Sequence, residues 1–251
     1  MKIGKKKRLS SFIGLLFLAG CMHTQDKAKE LDTYISYPST AKKDFPVIIM
    51  SHGAGGLDRF YFEWAAHFRK LGFATIIVDH HTSRGYLNRE KPSTDSGYKI
   101  RRADLTATFN KLATIPNIDR KRIWLAGWSS GAGFVFDGID RKGVLGAFLF
   151  YPYSYACRLN IIDSHDKPVK ILIGERDAGL PHCWEKYVDD PHYDFSIYDD
   201  AYHCFDFENI KTIHEVHYRQ YTLELLYNEK ALNQSRIDVT EFLHRETPGL
   251  N

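Results

Sequence analysis

The chain has 251 residues, 26% charged and 43% hydrophobic, with 34 Lys and Arg against 31 Asp and Glu. Five of the basic residues, Lys2, Lys5, Lys6, Lys7 and Arg8, fall before residue 20; beyond it 29 basic face 31 acidic residues, which excludes a nucleic-acid-binding stripe and leaves runs such as Lys42-Lys43, Arg101-Arg102 and Arg120-Lys121-Arg122 as solvated faces or helix ends. About 230 residues after such a leader suit one α/β domain with a sizeable core and leave little room for a second.

The basic start runs into an apolar stretch, Leu9 to Leu18, too short to span a bilayer comfortably. It closes with Leu18-Ala19-Gly20-Cys21, which resembles the lipobox of bacterial lipoproteins, where the leader is cut before the cysteine and the cysteine carries the lipids. The expected organisation is a signal peptide over 1–20, a lipid-anchored tether over 21–34, polar from Asp26 to Asp32, and a single domain over 35–251. The protein is thus expected to be exported, membrane-anchored through Cys21, and facing the periplasm or the cell exterior.

Apolar, β-branched runs then recur: Val47 to Met50, Ala74 to Val78, Ile123 to Ala126, Leu145 to Phe150, Val169 to Ile173 and Phe195 to Tyr198. Between the first three, Phe60, Trp64, Phe68 and Leu71 share one helical face, as do Leu105, Phe109 and Leu112, and Gly72 and Pro116 stop these helices. The alternation predicts an α/β fold with a mainly parallel central sheet and helices on both faces. The polar stretch from His81 to Lys99 is expected to be a long loop bordering a site. Tyr218, Tyr221 and Leu225 stand at helical spacing, and a last helix is expected near Ser235.

Gly127-Trp128-Ser129-Ser130-Gly131 follows one of these strands and opens a helical segment. A serine hydroxyl is a poor nucleophile unless it is held exposed beside a base; a sharp strand-to-helix turn does the holding, and glycines two residues on either side let the backbone pass closely. Ser129 is therefore the candidate nucleophile. Ser51-His52-Gly53-Ala54-Gly55-Gly56 follows the first strong strand, where small residues let backbone N–H groups approach a developing oxyanion; the two donors are assigned to the N–H of Ala54 and of Ser130. The acid and the histidine should follow the serine in that order. Asp177 comes right after the Val169 strand, with Glu175 and Asp199 as rivals. His203 lies between a strand end and a tight apolar stretch, in preference to His182, His192, His214, His217 and His244.

These residues predict a two-stage acyl transfer, with His203 as base and then acid and Asp177 orienting it. No cofactor and no metal are expected: His214-Glu215-Val216-His217 is one residue short of the zinc H-E-x-x-H spacing. Phe60, Tyr61, Trp128, Tyr153, Tyr155 and Trp184 are candidates to line an apolar acyl site.

Taken together, Ser51-His52-Gly53, Asp79 with Arg84-Gly85, Arg102-Ala103-Asp104, the Ser129 turn, Tyr151-Pro152, Gly174-Glu175-Arg176-Asp177 and Tyr202-His203-Cys204-Phe205-Asp206 resemble the dienelactone hydrolase-like branch of the α/β-hydrolases. The resemblance implies the α/β-hydrolase fold and hydrolysis of ester or lactone bonds in small carboxylic acid derivatives. It also suggests a disulfide between Cys157 and Cys183, with Cys204 as the rival partner. One departure is the nucleophile: dienelactone hydrolase proper has a cysteine where this chain has Ser129, which favours general carboxylesterase chemistry. The competing readings are a peptidase or acyltransferase on the same scaffold, and an inactive surface lipoprotein that binds without turnover.

Overall fold

The computed structural model describes residues 31–86, 94–152, 157, 166–218 and 221–249. The expected signal peptide, Cys21, most of the expected tether, and Tyr153 and Tyr155 lie outside the described residues.

A seven-stranded sheet organises the chain: β1 (Thr33–Ser36), β2 (Phe45–Ser51), β3 (Ala74–Val78), β4 (Ile118–Trp128), β5 (Val144–Phe150), β6 (Val169–Gly174) and β7 (Tyr193–Tyr198), in the order β1-β3-β2-β4-β5-β6-β7. Every pair is parallel except β1 with β3. β2, β3 and β6 are buried at every position, as strands covered on both faces must be, and this is why they read as largely apolar runs, with Thr75 and Lys170 as buried polar members.

The covering helices are α1 (Arg59–Lys70), α2 (Thr94–Lys111), α3 (Ala132–Gly138), α4 (Leu180–Tyr187) and α5 (Glu229–Glu246). On α1, Phe60, Trp64 and Phe68 are buried at the spacing of one helical face, and Asp58 caps the first turn by accepting from the Phe60 N–H. α5 lays Phe242 against Trp124 and Phe148 of the sheet. None of the helices among the described residues is long and apolar enough to cross a membrane.

Sequence order reverses between β2 and β4: β3 lies on one side of β2 and β4 on the other. Such a switch point opens a crevice at the carboxyl ends of the strands, where ligands of open α/β sheets bind. The register there pairs Ser51 with Gly127, so the Ser51–Gly56 loop and the Ser129 turn emerge side by side.

Four expectations need correction. The sheet begins inside the segment expected as tether: β1 starts at Thr33, Leu31 is buried, and the carbonyl of Asp32 accepts from the Asp79 N–H. The helix preceding β4 starts at Thr94 rather than beyond Lys99, so the expected loop from His81 is shorter. Tyr218, Tyr221 and Leu225 are not helical but belong to an antiparallel hairpin, β8 (His214–Tyr218) and β9 (Tyr221–Leu225); the alternation of His214, Val216 and Tyr218 is the period of a strand. Finally, Arg101 is not on a solvated face but is 5% exposed.

Candidate active site

β4 delivers the chain to a forced turn. Ser129 has φ of 50°, in the left-handed region that costs a residue with a β-carbon roughly 1 kcal/mol or more. Its two flanking glycines make the turn feasible. A β-carbon on Gly127 would sit 2.5 Å from the Gly131 carbonyl oxygen, and one on Gly131 only 2.2 Å from the carbonyl oxygen of Ser51. Ser129–Gly131 form a single 3-10 turn that runs into α3, leaving the Ser129 side chain at the mouth of the crevice.

Asp177 comes from the turn after β6. Its N–H donates to the Gly174 carbonyl (3.1 Å) and its Oδ1 accepts from the Gly179 N–H (2.7 Å), so the carboxylate has little rotational freedom. His203 is clamped through its backbone by the end of the hairpin: its N–H donates to Glu224 O and the Leu226 N–H donates to its carbonyl, both at 3.2 Å. Its ring Nδ1 lies 2.7 Å from Asp177 Oδ2 and its Nε2 lies 2.9 Å from Ser129 Oγ. With a neutral ring, Nδ1–H donates to the carboxylate and Nε2 accepts from the serine hydroxyl. Both Asp177 and His203 are buried, which strengthens these contacts against solvent.

Of the rivals, Asp199 is exposed, and Glu175 bonds the Asp200 N–H. His192 sits with Asp190, His217 with Thr222, and His214 and His244 are exposed.

Ala54 and Ser130, the expected oxyanion donors, lie on the two adjoining loops. A β-carbon on Gly53 would be 3.4 Å from Ser129 Cβ, so the first loop passes directly over the serine. The Gly53 N–H itself donates to Tyr61 Oη at 2.8 Å.

Sequence reasoning missed the group that braces this site from below. Asp206 is 1% exposed; its Oδ1 accepts from Tyr151 Oη (2.6 Å), and its Oδ2 from Trp64 Nε1 (2.8 Å) and Trp128 Nε1 (3.0 Å). Burial raises its pKa, and these three donors pull it back. Trp128 adjoins Ser129, and the Tyr151 ring stands edge-on to His203 at 4.7 Å, so one carboxylate steadies the neighbours of two of the converging side chains. The phenol of Tyr151 is pushed well up by burial and by Asp206, which keeps it a donor.

Of the aromatics proposed for an acyl site, Phe60, Tyr61 and Trp128 are buried in this bracing instead, and Trp184 is exposed against Phe195. Cys157 and Cys183 form a disulfide, which ties residue 157 to α4 just beyond the Asp177 turn, and Cys204 is free. Burial, then Asp206 and Asp177, push the Cys204 thiol well up, so it is held as a thiol rather than a thiolate nucleophile. Among the described residues no group of three or more His, Cys, Asp or Glu is arranged to hold a metal ion.

Residues 31–247 match the model of the dienelactone hydrolase family. Among solved structures, the chain is similar to a dienelactone hydrolase from Anabaena variabilis (15% identity, 86% of this chain and 91% of that one covered, TM-score 0.62). It is also similar to a dienelactone hydrolase-like promiscuous phosphotriesterase from metagenomic libraries (15%, 87% and 93%, TM-score 0.64) and to an esterase from Pyrobaculum calidifontis (13%, 86% and 80%, TM-score 0.60). At these identities the structural likeness speaks for the fold. No curated protein matches the sequence.

Proposed function

The chain belongs to the dienelactone hydrolase family, and from that premise we propose that it is a serine hydrolase that opens carboxylic ester or lactone bonds of small to medium substrates through Ser129, His203 and Asp177. Family membership supports hydrolysis of ester bonds; the observation that carries the finer reading is the unbroken hydrogen-bonded line from Ser129 Oγ through His203 to Asp177.

In the first stage the Ser129 oxygen attacks the substrate carbonyl carbon as its proton passes to His203 Nε2. The imidazolium that forms is stabilised by the Asp177 carboxylate beside Nδ1. The carbonyl oxygen, now an oxyanion, is received by the N–H groups of Ala54 and Ser130. His203 returns its proton to the leaving alcohol, which departs and leaves an acyl ester on Ser129. In the second stage His203 takes a proton from water, the hydroxide oxygen attacks the same carbon, and the carboxylic acid leaves as Ser129 recovers its proton.

The strained φ of Ser129 supports the assignment, because it holds the hydroxyl at the mouth of the crevice instead of against the sheet. Turnover of a panel of aryl and alkyl esters of graded chain length tests it. Ser129→Ala or His203→Ala is expected to lower kcat by about 10⁴-fold or more, and Asp177→Ala somewhat less. Folded Ser129→Ala protein with undiminished turnover would remove the serine from the reaction, and folded wild type inert toward every ester would favour a binding role.

The leader motif supports a second part of the proposal, that the protein is exported and anchored by lipid on Cys21. Cys21→Ser is then expected to abolish incorporation of a labelled fatty acid into the protein and to leave its leader uncut; unchanged labelling and cleavage would count against lipidation.

A further inference from the structure

We propose that Arg101, acting with His52, is a positioning residue that aims and polarises the Ala54 N–H toward the oxyanion; this rests on the serine-hydrolase reading above. Arg101 stands on α2, and its guanidinium is directed at backbone carbonyls. Nη2 donates to the carbonyls of His52 and Gly53, each at 3.2 Å, and Nη1 to that of Gly97 at 3.4 Å. Among the described residues it has no ion pair with a carboxylate, and its Nε is buried without a partner. Burial holds its pKa down to about 10, so it stays charged at neutral pH. A buried cation with no carboxylate in direct contact is expensive, on the order of several kcal/mol, and packing alone would be served by an apolar side chain.

His52 adds the second constraint. Its Nε2 accepts from the His80 N–H at 3.0 Å, so its proton is on Nδ1, which donates to the Gly53 carbonyl at 2.7 Å. Burial lowers its pKa and keeps the ring in this neutral form. The Gly53 carbonyl therefore accepts from an imidazole and a guanidinium, as well as from the Gly56 N–H of its own turn at 3.3 Å. Because a trans peptide is planar, fixing that carbonyl fixes the Ala54 N–H in the opposite direction, and a cation on the carbonyl side strengthens the N–H as a donor. Gly53 lies against Ser129, and its own N–H is taken by Tyr61, which leaves the next peptide to serve.

The base of the loop is held by a second Ser–His–Asp line. Ser51 Oγ lies 2.9 Å from His80 Nε2, and His80 Nδ1 lies 2.7 Å from Asp104 Oδ2. Arg84 pairs with both oxygens of Asp104, at 3.0 and 2.5 Å. It has the same order of residue types as the Ser129 line, but Ser51 and His80 are 0% exposed, so it anchors and does not react. Asp104, bonded to His80 and Arg84, also attracts the Arg101 charge from a distance, but the hydrogen bonds that Arg101 makes among the described residues all go to backbone carbonyls, two of them in the loop.

Steady-state hydrolysis of p-nitrophenyl acetate, with active sites counted by fluorophosphonate titration, tests the proposal. Arg101→Met is expected to lower kcat per titrated site about 10- to 100-fold with KM changed less than about twofold, and to weaken inhibition by phenylboronic acid, whose tetrahedral adduct needs the same donor, by a similar factor. In Arg101→Ala, added guanidinium ion is expected to restore part of kcat. A purely structural role would reduce the titrated fraction and leave kcat per site unchanged, which would overturn the proposal, as would a rise in KM alone. Should Arg101→Met fail to fold, Arg101→Lys decides: at least a fivefold loss in kcat per site is expected, and wild-type kcat per site refutes the role. Wild type that neither titrates nor turns over ester would instead refute the serine-hydrolase reading itself.

Discussion

The carbonyl oxygen of Ser51 fills the space that a side chain on Gly131 would need: a β-carbon there would lie only 2.2 Å from it, and 2.9 Å from the carbonyl oxygen of His52. The obstacle is backbone at the end of a buried central strand, so it cannot swing aside as a flexible side chain could. Gly131→Ala is therefore expected to lower stability by about 2 kcal/mol or more through overpacking and to cut ester turnover by displacing the Ser51–Gly56 loop relative to Ser129. Urea unfolding and ester kinetics on the same preparation check this, and wild-type values in both would show that the loop is free to shift.

Asp206 accepts from two indoles and a phenol, and these donors respond differently to its replacement. An asparagine can keep its oxygen toward the Trp64 and Trp128 N–H groups and turn its amide toward Tyr151 Oη, which can accept. An alanine leaves three buried donors unmet, each costing about 1–3 kcal/mol. The expected order of stability is wild type, then Asp206→Asn, then Asp206→Ala by a wide margin, with turnover falling in the same order as Trp128 and Tyr151 loosen. Equal stability of the two variants would show that the carboxylate does not brace the site.

The Cys157–Cys183 bridge closes a loop with a sequence separation of 26. A crosslink of that span is expected to contribute about 2–4 kcal/mol, chiefly by restricting the unfolded chain. Cys157→Ser with Cys183→Ser, compared with wild type by denaturant unfolding, should lose that amount. A loss below about 0.5 kcal/mol would place the bridge outside the cooperative unit.

Acid should weaken the fold through histidines that resist protonation. Burial, and then the charge of Arg236, lower the His67 pKa from its ordinary value of 6.5 to about 4, and His52 and His80 shift in the same direction. Below about pH 6.5 the unfolded chain takes up protons that the folded one refuses. The contribution is thus intact above pH 6.5 and declines as pH falls toward 4. His67→Gln is expected to make Tm a few degrees less sensitive to pH between 6.5 and 4.5, whereas parallel curves for variant and wild type would exclude His67 as a source.

The buried strands are legible in the sequence because strands covered on both faces are dominated by apolar and β-branched residues, and Ala74–Val78 has the bounds of the apolar, β-branched run. Ser129 stood out for a steric reason, since a left-handed residue between close backbone segments requires glycines at 127 and 131. What escaped notice depends on partners distant in the chain. Arg101 resembles any surface arginine until the carbonyls of His52 and Gly53, 49 and 48 residues away, fold against it. The indole donors to Asp206 come from 142 and 78 residues away. The β8–β9 hairpin is obscured because Tyr218, Tyr221 and Leu225 happen to fall at steps of three and four in sequence although they belong to two paired strands.

The most direct test of the Ser129 mechanism is the site of covalent capture. Wild-type protein treated with a fluorophosphonate and digested should carry one phosphonyl adduct, on the peptide containing Ser129, with labelling abolished in Ser129→Ala and strongly slowed in His203→Ala. An adduct on another residue, or folded wild type that stays unlabelled under conditions that label a known serine hydrolase, would contradict it.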